Sequence, residues 1–289
     1  MRNSLALCRE LPATLLNSRK DLSRNWQNCF KNILCNYATY YFDYRPFVDF
    51  ITRNRSARLF YLQNEYGLTP NGSVYRLLRE RGYAVISNVY PDASGCLGFS
   101  DYHRVNMNLL LARKSPPVGQ SQKPYGTIYF GTYRKDREAY FRRYLQRTVY
   151  CSTSNKNIKK FMRIGCSPIF IKKLQWIEGA ETLNLFKYSI YIEDEYTHGH
   201  YNYLANRFYE ALACNVVQFF DRSCERTIEE SGIEFNPFYY VSSLDELKEK
   251  TAACDKDFEA HVSEQQGMWL APALDERSKL IAYLKQVLA

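Results

Sequence analysis

The sequence predicts a two-domain α/β protein, and three observations support this prediction. At 289 residues the chain exceeds the usual size of one hydrophobic core, so two domains of roughly 100 to 150 residues are expected. Short apolar runs that are typical of buried strands alternate with stretches of helical spacing along most of the chain. A segment rich in Pro, Gly, Ser and Gln, residues 114–126, separates two such series and predicts a linker.

The clearest alternating unit lies at residues 188–220. Residues 188–192 and 216–220 are interpreted as buried strands, and the helix predicted between them has apolar side chains at helical spacing: Leu204, Phe208, Ala211 and Leu212. Two parallel strands joined by a helix place the helix N-terminus at the carboxyl end of the first strand, where open α/β sheets bind ligands. The loop at residues 193–200 is therefore a candidate ligand site.

The first domain is predicted at residues 1–113. Residues 1–35 are interpreted as helical, because Trp26, Phe30, Ile33 and Leu34 would share one face. The remaining predicted strands and helices alternate. The strands are residues 37–44, 58–63, 83–89 and 105–111, and the helices are residues 46–53 and 73–81, with Gly82 as the C-terminal cap of the second.

The second domain is predicted at residues 127–289. Besides the unit at residues 188–220, its predicted strands are residues 127–130 and 148–151, and its predicted helices are residues 137–147, 157–162, 225–232, 244–251 and 274–288. Ser243 and Glu246 form a capping box at the start of the helix at residues 244–251.

Positive charge is concentrated in the first part of the chain. Residues 1–170 hold 27 Lys and Arg against 10 Asp and Glu, a net +17, whereas residues 171–289 hold 12 against 20, a net −8. A clustered basic surface is typical of proteins that bind nucleic acid, although basic proteins without such a partner are known. The charge pattern thus favours a polyanionic partner, with nucleic acid preferred.

The composition also indicates the compartment. The nine cysteines are odd in number and include no CxxC pair, which fits reduced thiols better than disulfides or a zinc site. No apolar run approaches the roughly 20 residues needed to cross a bilayer. Because Arg9, Glu10 and Pro12 interrupt the N-terminal apolar residues, a secretory signal is not expected. We therefore expect a cytoplasmic protein without a membrane partner.

A short basic motif follows the first predicted strand of the second domain. Its sequence GTYRKDR, residues 131–137, brings Gly131, Thr132, Arg134 and Arg137 to a strand-to-helix turn. Backbone N–H groups at such a turn and the forked donors of arginine suit the oxygens of a diphosphate. The alternative is a basic helix that only faces solvent.

Two segments taken together resemble a known family. FGTYRKDRE, which opens the second domain, and RFYEALACNVVQFFD, which lies later in it, resemble the nucleotide-sugar domain of two-domain GT-B glycosyltransferases. Within that family the resemblance is to the phage enzymes that glycosylate DNA; similar helix motifs occur in fucosyltransferase-like enzymes. The resemblance covers about residues 127–252 and is thin before residue 55. It implies two Rossmann-like domains that face each other across a cleft.

The resemblance also implies which residues bind the donor. Arg134 and Arg137 would hold the diphosphate, and either could make the main contact, because they stand one residue closer together than in the resembled phage enzyme. Glu210 follows Arg207 by three residues, and it would accept hydrogen bonds from both ribose hydroxyls. Taken alone, Glu210 also fits a solvent-facing helix carboxylate.

Four further acidic residues complete the implied site. Asp194 or Glu195, in the candidate ligand loop, would contact the donor sugar and phosphate. Glu65, at the end of a first-domain strand, is the candidate base that takes the acceptor proton in an inverting transfer, and Asp43 is the second candidate. Glu65 equally fits a loop carboxylate paired with an arginine, and a retaining reaction would not need such a base.

No metal or other essential cofactor is expected. Carboxylates at residues 193–195 suit Mg²⁺ or Mn²⁺, and HGH at residues 198–200 suits zinc, but neither is a full ligand set. The resembled class generally needs no essential metal. The sequence has no Ser-His-Asp pattern, Walker loop or GxGxxG fingerprint, which argues against hydrolases, P-loop proteins and dinucleotide-binding enzymes.

The favoured function is a glycosyltransferase that uses a nucleoside-diphosphate sugar, preferably UDP-linked. Its donor would bind residues 127–252, and its acceptor, double-stranded DNA with a hydroxymethylated pyrimidine, would bind residues 1–113. We expect a monomer, in the host cytoplasm if the protein is phage-encoded. Three alternatives stay open: a transferase for surface polysaccharide, an enzyme of the same fold for protein or small-molecule acceptors, and a non-catalytic basic DNA-binding module.

Overall fold

The chain forms two compact units in a computed structural model. Unit 1 comprises residues 1–110 and 279–289, and unit 2 comprises residues 111–278. Residues 279–289 were predicted in the second domain but group with unit 1. The structure describes residues 11, 31–36, 45–63, 80–88, 101–114, 122–174, 182–193, 204–234 and 236–289.

The described part of unit 1 contains a four-stranded parallel sheet in the order β1-β2-β3-β4. Its strands are β1 (Asn32–Asn36), β2 (Arg58–Gln63), β3 (Ala84–Ser87) and β4 (Tyr102–Arg104), with helix α1 (Arg45–Arg53) after β1 and a 3₁₀ helix (Met107–Leu111) after β4. All four residues of β3 are buried, as is usual for parallel strands covered on both faces.

The C-terminal residues complete the core of unit 1. Leu280 and Leu284 are buried in one apolar cluster with Phe60, Leu62 and Ile86 of the sheet. They belong to helix α8 (Ala271–Val287), which begins in unit 2 and ends in unit 1. Burial of these leucines explains why the end of the chain groups with residues that lie far away in the sequence.

Unit 2 is built on a six-stranded sheet in the order β10-β9-β8-β5-β6-β7, and all of its strand pairs are parallel. Read from β7, the order by position along the unit is third, second, first, fourth, fifth and sixth, which is the order of doubly wound nucleotide-binding sheets. The chain reverses direction across the sheet between β5 and β8. Ligands of such sheets bind at the carboxyl ends of the strands at this switch point.

The elements of unit 2 alternate along the chain. The strands are β5 (Tyr125–Phe130), β6 (Tyr150–Thr153), β7 (Ile169–Lys172), β8 (Phe186–Tyr191), β9 (Val217–Asp221) and β10 (Tyr240–Val241). The α-helices are α2 (Glu138–Tyr144), α3 (Asn155–Arg163), α4 (Asn206–Ala213), α5 (Glu225–Glu230), α6 (Leu244–Cys254) and α7 (Phe258–Gln265), besides α8. The described part of the unit also contains three 3₁₀ helices (Lys135–Arg137, Arg222–Cys224 and Pro237–Tyr239) and a π-helix (Gln266–Leu270).

Neighbouring residues of β5 pack on opposite faces of the sheet. The ring of Tyr129 lies 5.4 Å from that of Phe141 in α2 and 6.4 Å from that of Phe161 in α3, measured between centroids. Ile128 and Phe130 instead join the buried cluster that includes Ala211 of α4. Helices α2 and α3 therefore cover one face of the sheet and α4 the other, as the alternation of side chains along a strand requires.

The predicted α/β class and most predicted elements of the second domain are confirmed. The Ser243 hydroxyl accepts a hydrogen bond from the backbone N–H of Glu246 at 3.1 Å, so the predicted cap opens α6. The predicted strand at residues 58–63 is β2, and the predicted helix at residues 46–53 is α1. The predicted strand at residues 37–44 and most of the predicted helix at residues 73–81 lie outside the described residues.

Two predictions in the first domain are wrong. Residues 32–36, predicted as the end of a helix, form β1, because a short apolar run fits a buried strand as well as a helix face. Residues 107–111, predicted within a strand, form a 3₁₀ helix. The side chain of Asn88 accepts a hydrogen bond from the Met107 N–H at 2.9 Å, and that of Asn106 accepts one from the Asn108 N–H at 3.1 Å. The second of these bonds is local and favours a turn over a strand.

Two further expectations concern cysteines and membranes. Five cysteines of unit 2 are buried thiols: Cys151, Cys166, Cys214, Cys224 and Cys254. Among the described residues, no helix combines the length and the apolar character that crossing a bilayer requires.

Candidate functional site

Predicted site residues meet at the switch point of unit 2. Gly131 directly follows β5, and Arg137 ends the 3₁₀ helix that comes next. Glu193 follows β8 by two residues, and Arg207 lies in the first turn of α4. The backbone N–H of Gly131 donates to the Ser152 carbonyl at 3.2 Å, which ties the turn after β5 to β6. Parallel strands thus bring together side chains from three separate segments.

The Glu193 carboxylate bridges the two arginines. Its Oε1 atom pairs with Nη2 of Arg137, and its Oε2 atom pairs with Nη2 of Arg207. The exposed fractions of the side chains are 3% for Glu193, 7% for Arg137 and 13% for Arg207. Burial is the largest single effect and lowers the pKa of Arg207, but the Glu193 carboxylate together with Tyr129 and Tyr191 more than offsets it, so the pKa is raised. Both guanidinium groups are therefore held in fixed positions as cations.

The ring of Tyr191, the last residue of β8, packs against the guanidinium group of Arg207. The Cζ atom of Arg207 lies 5.0 Å from the ring centroid of Tyr191, within the range of a cation–π contact. The Tyr191 hydroxyl accepts a hydrogen bond from the backbone N–H of Ala205 at 2.9 Å, at the N-cap of α4. Burial raises the pKa of Tyr191 well above its usual value, so the hydroxyl stays neutral. Tyr191 thus fixes both the start of α4 and the orientation of Arg207.

The absence of a side chain at Gly131 is what allows Arg207 to reach the turn. A Cβ atom at this position would lie 2.7 Å from the Tyr129 hydroxyl oxygen and 3.2 Å from Nη1 of Arg207. The Tyr129 hydroxyl is buried and has no hydrogen-bond partner among the described residues. Burial raises the pKa of Tyr129, while Arg207 and Arg137 oppose the shift. Gly131, Tyr129 and the two arginines therefore form one closely packed group.

The other predicted donor residues differ in exposure. Thr132 and Arg134 are exposed, and Arg134 has extended backbone angles at the N-cap of the 3₁₀ helix. The backbone carbonyl of Arg134 accepts a hydrogen bond from the Arg137 N–H at 3.3 Å, but its side chain makes no hydrogen bond or ion pair with a described residue. Glu210 is completely buried, so it is not the solvent-facing carboxylate of the alternative interpretation. Four predicted residues lie outside the described residues: Asp43, Glu65, Asp194 and Glu195.

Sequence reasoning missed Glu193, Tyr129 and Tyr191 as parts of the site. Glu193 was considered only as the first residue of the candidate ligand loop and as one of three carboxylates suited to Mg²⁺ or Mn²⁺, and the two tyrosines only as strand residues. One signal was present, since Tyr191 and Glu193 come at the carboxyl end of a buried strand. No group of three or more His, Cys, Asp or Glu in the described part of the chain could hold a metal ion.

Solved structures identify the class of this fold, which is the two-domain GT-B fold of glycosyltransferases. The chain is similar to the DNA-modifying enzyme beta-glucosyltransferase, solved with and without uridine diphosphoglucose. The TM-score is 0.66 at 16% identity, over 90% of this chain and 82% of that one. A second structure, of T4 phage beta-glucosyltransferase, gives a TM-score of 0.64 at 16% identity, over 90% and 83% of the two chains.

A third structure, of the T4 phage enzyme with its UDP-glucose substrate, gives a TM-score of 0.64 at 15% identity, over 90% of this chain and 83% of that chain. The predicted resemblance is therefore confirmed at the level of the fold. No protein-family description matches the sequence, and no curated protein sequence matches it either.

Proposed function

We propose that this chain is a glycosyltransferase that moves a sugar from a UDP-linked donor to a hydroxymethylated pyrimidine in double-stranded DNA. One observation carries the proposal: Arg137 and Arg207 are fixed on buried Glu193, beside Gly131, at the switch point of a doubly wound sheet. Nucleotides bind to sheets of this order at that point. The similar solved structures are of a DNA-modifying enzyme that binds UDP-glucose, which supports the choice of donor and acceptor.

The charges of the site favour a diphosphate. Arg137 and Arg207 carry two positive charges against the single negative charge of Glu193, so this group of three keeps a net positive charge. Exposed Arg134 lies three residues after Gly131 and can bring a second guanidinium fork to the phosphate oxygens. We assign the main phosphate contact to Arg134, because Glu193 already occupies part of the guanidinium of Arg137. Arg137 and Arg207 then supply fixed positive potential.

In the proposed reaction the sugar is transferred to the acceptor in a single displacement. The acceptor hydroxyl oxygen attacks the anomeric carbon of the sugar, the bond from that carbon to the diphosphate breaks, and UDP leaves with the electron pair. Positive charge that is already in place stabilises the departing diphosphate. Glu65 takes the acceptor proton, with Asp43 as the second candidate, and Glu210 accepts hydrogen bonds from the donor ribose. Asp194 or Glu195 contacts the donor sugar.

A panel of acceptors and donors tests the proposal. The protein is incubated with duplex DNA containing hydroxymethylcytosine, hydroxymethyluracil or only unmodified bases, with bacterial surface polysaccharide as a fourth acceptor. Each acceptor is combined with a set of nucleotide sugars, and products are measured by mass spectrometry. Because a structure of the T4 phage enzyme contains UDP and Mn²⁺, every reaction is run with and without Mn²⁺.

We expect a hexose mass on hydroxymethylated DNA from a UDP-sugar and none on unmodified DNA. Transfer to polysaccharide but not to DNA would favour the surface-sugar transferase instead. Binding of DNA without transfer or hydrolysis of any donor would favour the non-catalytic module.

A further inference from the structure

Counted by structural unit, charge is distributed differently from the counts for residues 1–170 and 171–289. Unit 1 holds 16 Lys and Arg against 8 Asp and Glu, a net +8. Within unit 2, residues 111–170 hold 13 against 2, a net +11, and residues 171–278 hold 10 against 20, a net −10. Residues 111–170, which contain β5, β6, α2 and α3, are therefore strongly basic, whereas residues 171–278, which contain β8 to β10, are acidic.

Helix α3 concentrates this charge on one face. Lys156, Lys159, Lys160 and Arg163 occupy positions i, i+3, i+4 and i+7 of its sequence NKNIKKFMR, which contains no acidic residue. We call these four residues the α3 basic face. Three of them are exposed, and Lys160 is half-buried, with its Nζ atom 5.3 Å from the ring centroid of Tyr133.

No described carboxylate neutralises the α3 basic face. The ion pairs among the described residues include none of its four members, although like charges at these spacings destabilise a helix. The opposite side of α3 is anchored by buried Asn157 and Phe161. From a fixed backbone the helix therefore presents cations that have no ion-pair partner among the described residues, and such a surface suits a polyanion.

Further cations lie at the end of α3 or at the end of β7; one of them, Arg142, also pairs with Glu138 at 3.5 Å. Arg142 of α2 donates from Nε to the carbonyl of Ile164 at 3.1 Å, so its side chain reaches the C-terminal end of α3. Lys172 and Lys173, at the end of β7, are also exposed.

We propose that the α3 basic face binds the phosphate backbone of double-stranded DNA, as a contact surface of unit 2 in addition to the residues assigned to the donor. The choice of DNA as partner rests on the proposed function. Seven residues of helix span about 10 Å at 1.5 Å per residue. One DNA strand presents a phosphate about every 3.4 Å along the axis, so the four cations match roughly three phosphates of one strand.

A membrane surface fits α3 less well than DNA does. Helices that lie on membranes insert aromatic and leucine side chains between their basic residues. The exposed positions of α3 contain a single apolar side chain, Met162, which is 62% exposed, and no aromatic residue. The surface therefore has the charge for a lipid headgroup layer but lacks the apolar anchor.

The test compares two triple variants that lose the same charge. Lys156→Gln/Lys159→Gln/Arg163→Gln alters the α3 basic face, and Arg226→Gln/Lys248→Gln/Lys256→Gln alters exposed cations in the acidic half of unit 2. Binding of a fluorescent DNA duplex is measured by anisotropy at several salt concentrations. For the α3 variant we expect about 10-fold to 100-fold weaker binding and a log–log salt slope smaller by about 2 to 3, as three lost phosphate contacts require.

The control variant should bind DNA within about 2-fold of wild type, because salt screens charges that lie away from the DNA contact. Lys156→Arg/Lys159→Arg/Arg163→Lys, which keeps the charge, should restore both affinity and slope. Melting temperatures of all variants are measured to confirm that they fold.

Equal salt slopes for the two triple variants, or no binding of DNA by the wild type at low salt, would overturn the proposal. Loss of binding to anionic vesicles with unchanged DNA binding would assign the surface to a membrane instead. Binding of UDP is measured on the same preparations. If the wild type fails to bind UDP while the α3 variant still loses its DNA contacts, the proposed donor site fails and the DNA surface stands.

Discussion

At the residue scale, the space beside Gly131 is already filled by Tyr129 and Arg207. Gly131→Ala therefore forces one of these buried side chains to move, at a cost of about 1 to 3 kcal/mol, typical of overpacking. If Arg207 is displaced, UDP binding weakens as well. Thermal unfolding and calorimetry measure the two effects.

Gly126 provides the matched control for this change. It lies in β5, the strand that Gly131 directly follows, and a Cβ atom there would meet no atom within 4 Å. Gly126→Ala should leave the stability and the UDP affinity unchanged or slightly raise the stability. Equal behaviour of the two variants would show that the close approach at Gly131 has no consequence.

A second prediction at the residue scale concerns Glu193. Glu193→Gln leaves the guanidinium groups of Arg137 and Arg207 buried without a counter-charge, and breaking such a group costs about 3 to 5 kcal/mol. A urea titration should show this loss. Glu230→Gln, which removes an exposed partner of Arg226, serves as the control and should melt close to wild type. A Glu193→Gln protein as stable as the control would contradict the bridging role.

At the scale of elements, Lys123 joins the ends of three segments of unit 2. Although it lies in the predicted linker, it is 1% exposed. Its ammonium group donates to the carbonyls of Asn184 at 3.0 Å, Phe186 at 3.0 Å and Cys214 at 2.9 Å. Lys123→Met leaves these carbonyls without their donor, and we expect a loss of about 1 to 3 kcal/mol.

The pH dependence of this loss has a definite sign. Burial lowers the pKa of Lys123 from 10.5 to about 8. Between these values the folded protein has released a proton that the unfolded chain still binds, so this group makes stability rise with pH. The stability difference between wild type and Lys123→Met should therefore grow from pH 7.5 to pH 9.5 in urea titrations. Buried cysteines and tyrosines other than Cys214 titrate alike in both proteins and cancel, and Cys214, which interacts with Lys123, has a pKa of about 11, above the range measured. A constant or shrinking difference would contradict the prediction.

Elements with a long and clear period could be predicted from the sequence, whereas short apolar runs could not. The strand–helix–strand unit β8-α4-β9 and the capped helix α6 follow from local patterns. Strand β1 was mistaken for helix because Ile33 and Leu34 also continue a helical spacing. Strand β7 was missed because it is a short edge strand whose Ile169 is 43% exposed, so it lacks the buried pattern of a central strand.

The candidate site was also predicted only in part, because local patterns locate strand ends but not the order of the strands. Residues that follow strand ends, such as Gly131 and Arg137, could be found because parallel strands bring their carboxyl ends to one edge. The bridge through Glu193 depends on the order of the strands, which places β8 next to β5 rather than next to β7. No local pattern in the sequence fixes that order.

At the scale of the whole molecule, the proposed reaction requires a base in the first domain. Glu65→Gln keeps the shape of the side chain and removes its basicity. Turnover should fall by about 100-fold to 10,000-fold, the usual contribution of general-base catalysis, while donor and DNA binding stay near wild type. A supporting salt bridge would instead lower the melting temperature and leave the rate within a few fold. Full activity in Glu65→Gln with inactivity in Asp43→Asn would assign the base to Asp43.

The central claim is that unit 2 binds a nucleoside-diphosphate sugar through Arg134, and calorimetric titration with UDP and UDP-sugars tests it most directly. The wild type should bind UDP. Arg134→Ala should bind it about 10-fold to 150-fold more weakly, because a charge-assisted contact contributes about 1.5 to 3 kcal/mol. Arg147→Ala, which removes another exposed arginine of unit 2, should bind like the wild type. Absence of UDP and UDP-sugar binding by the wild type would contradict the claim.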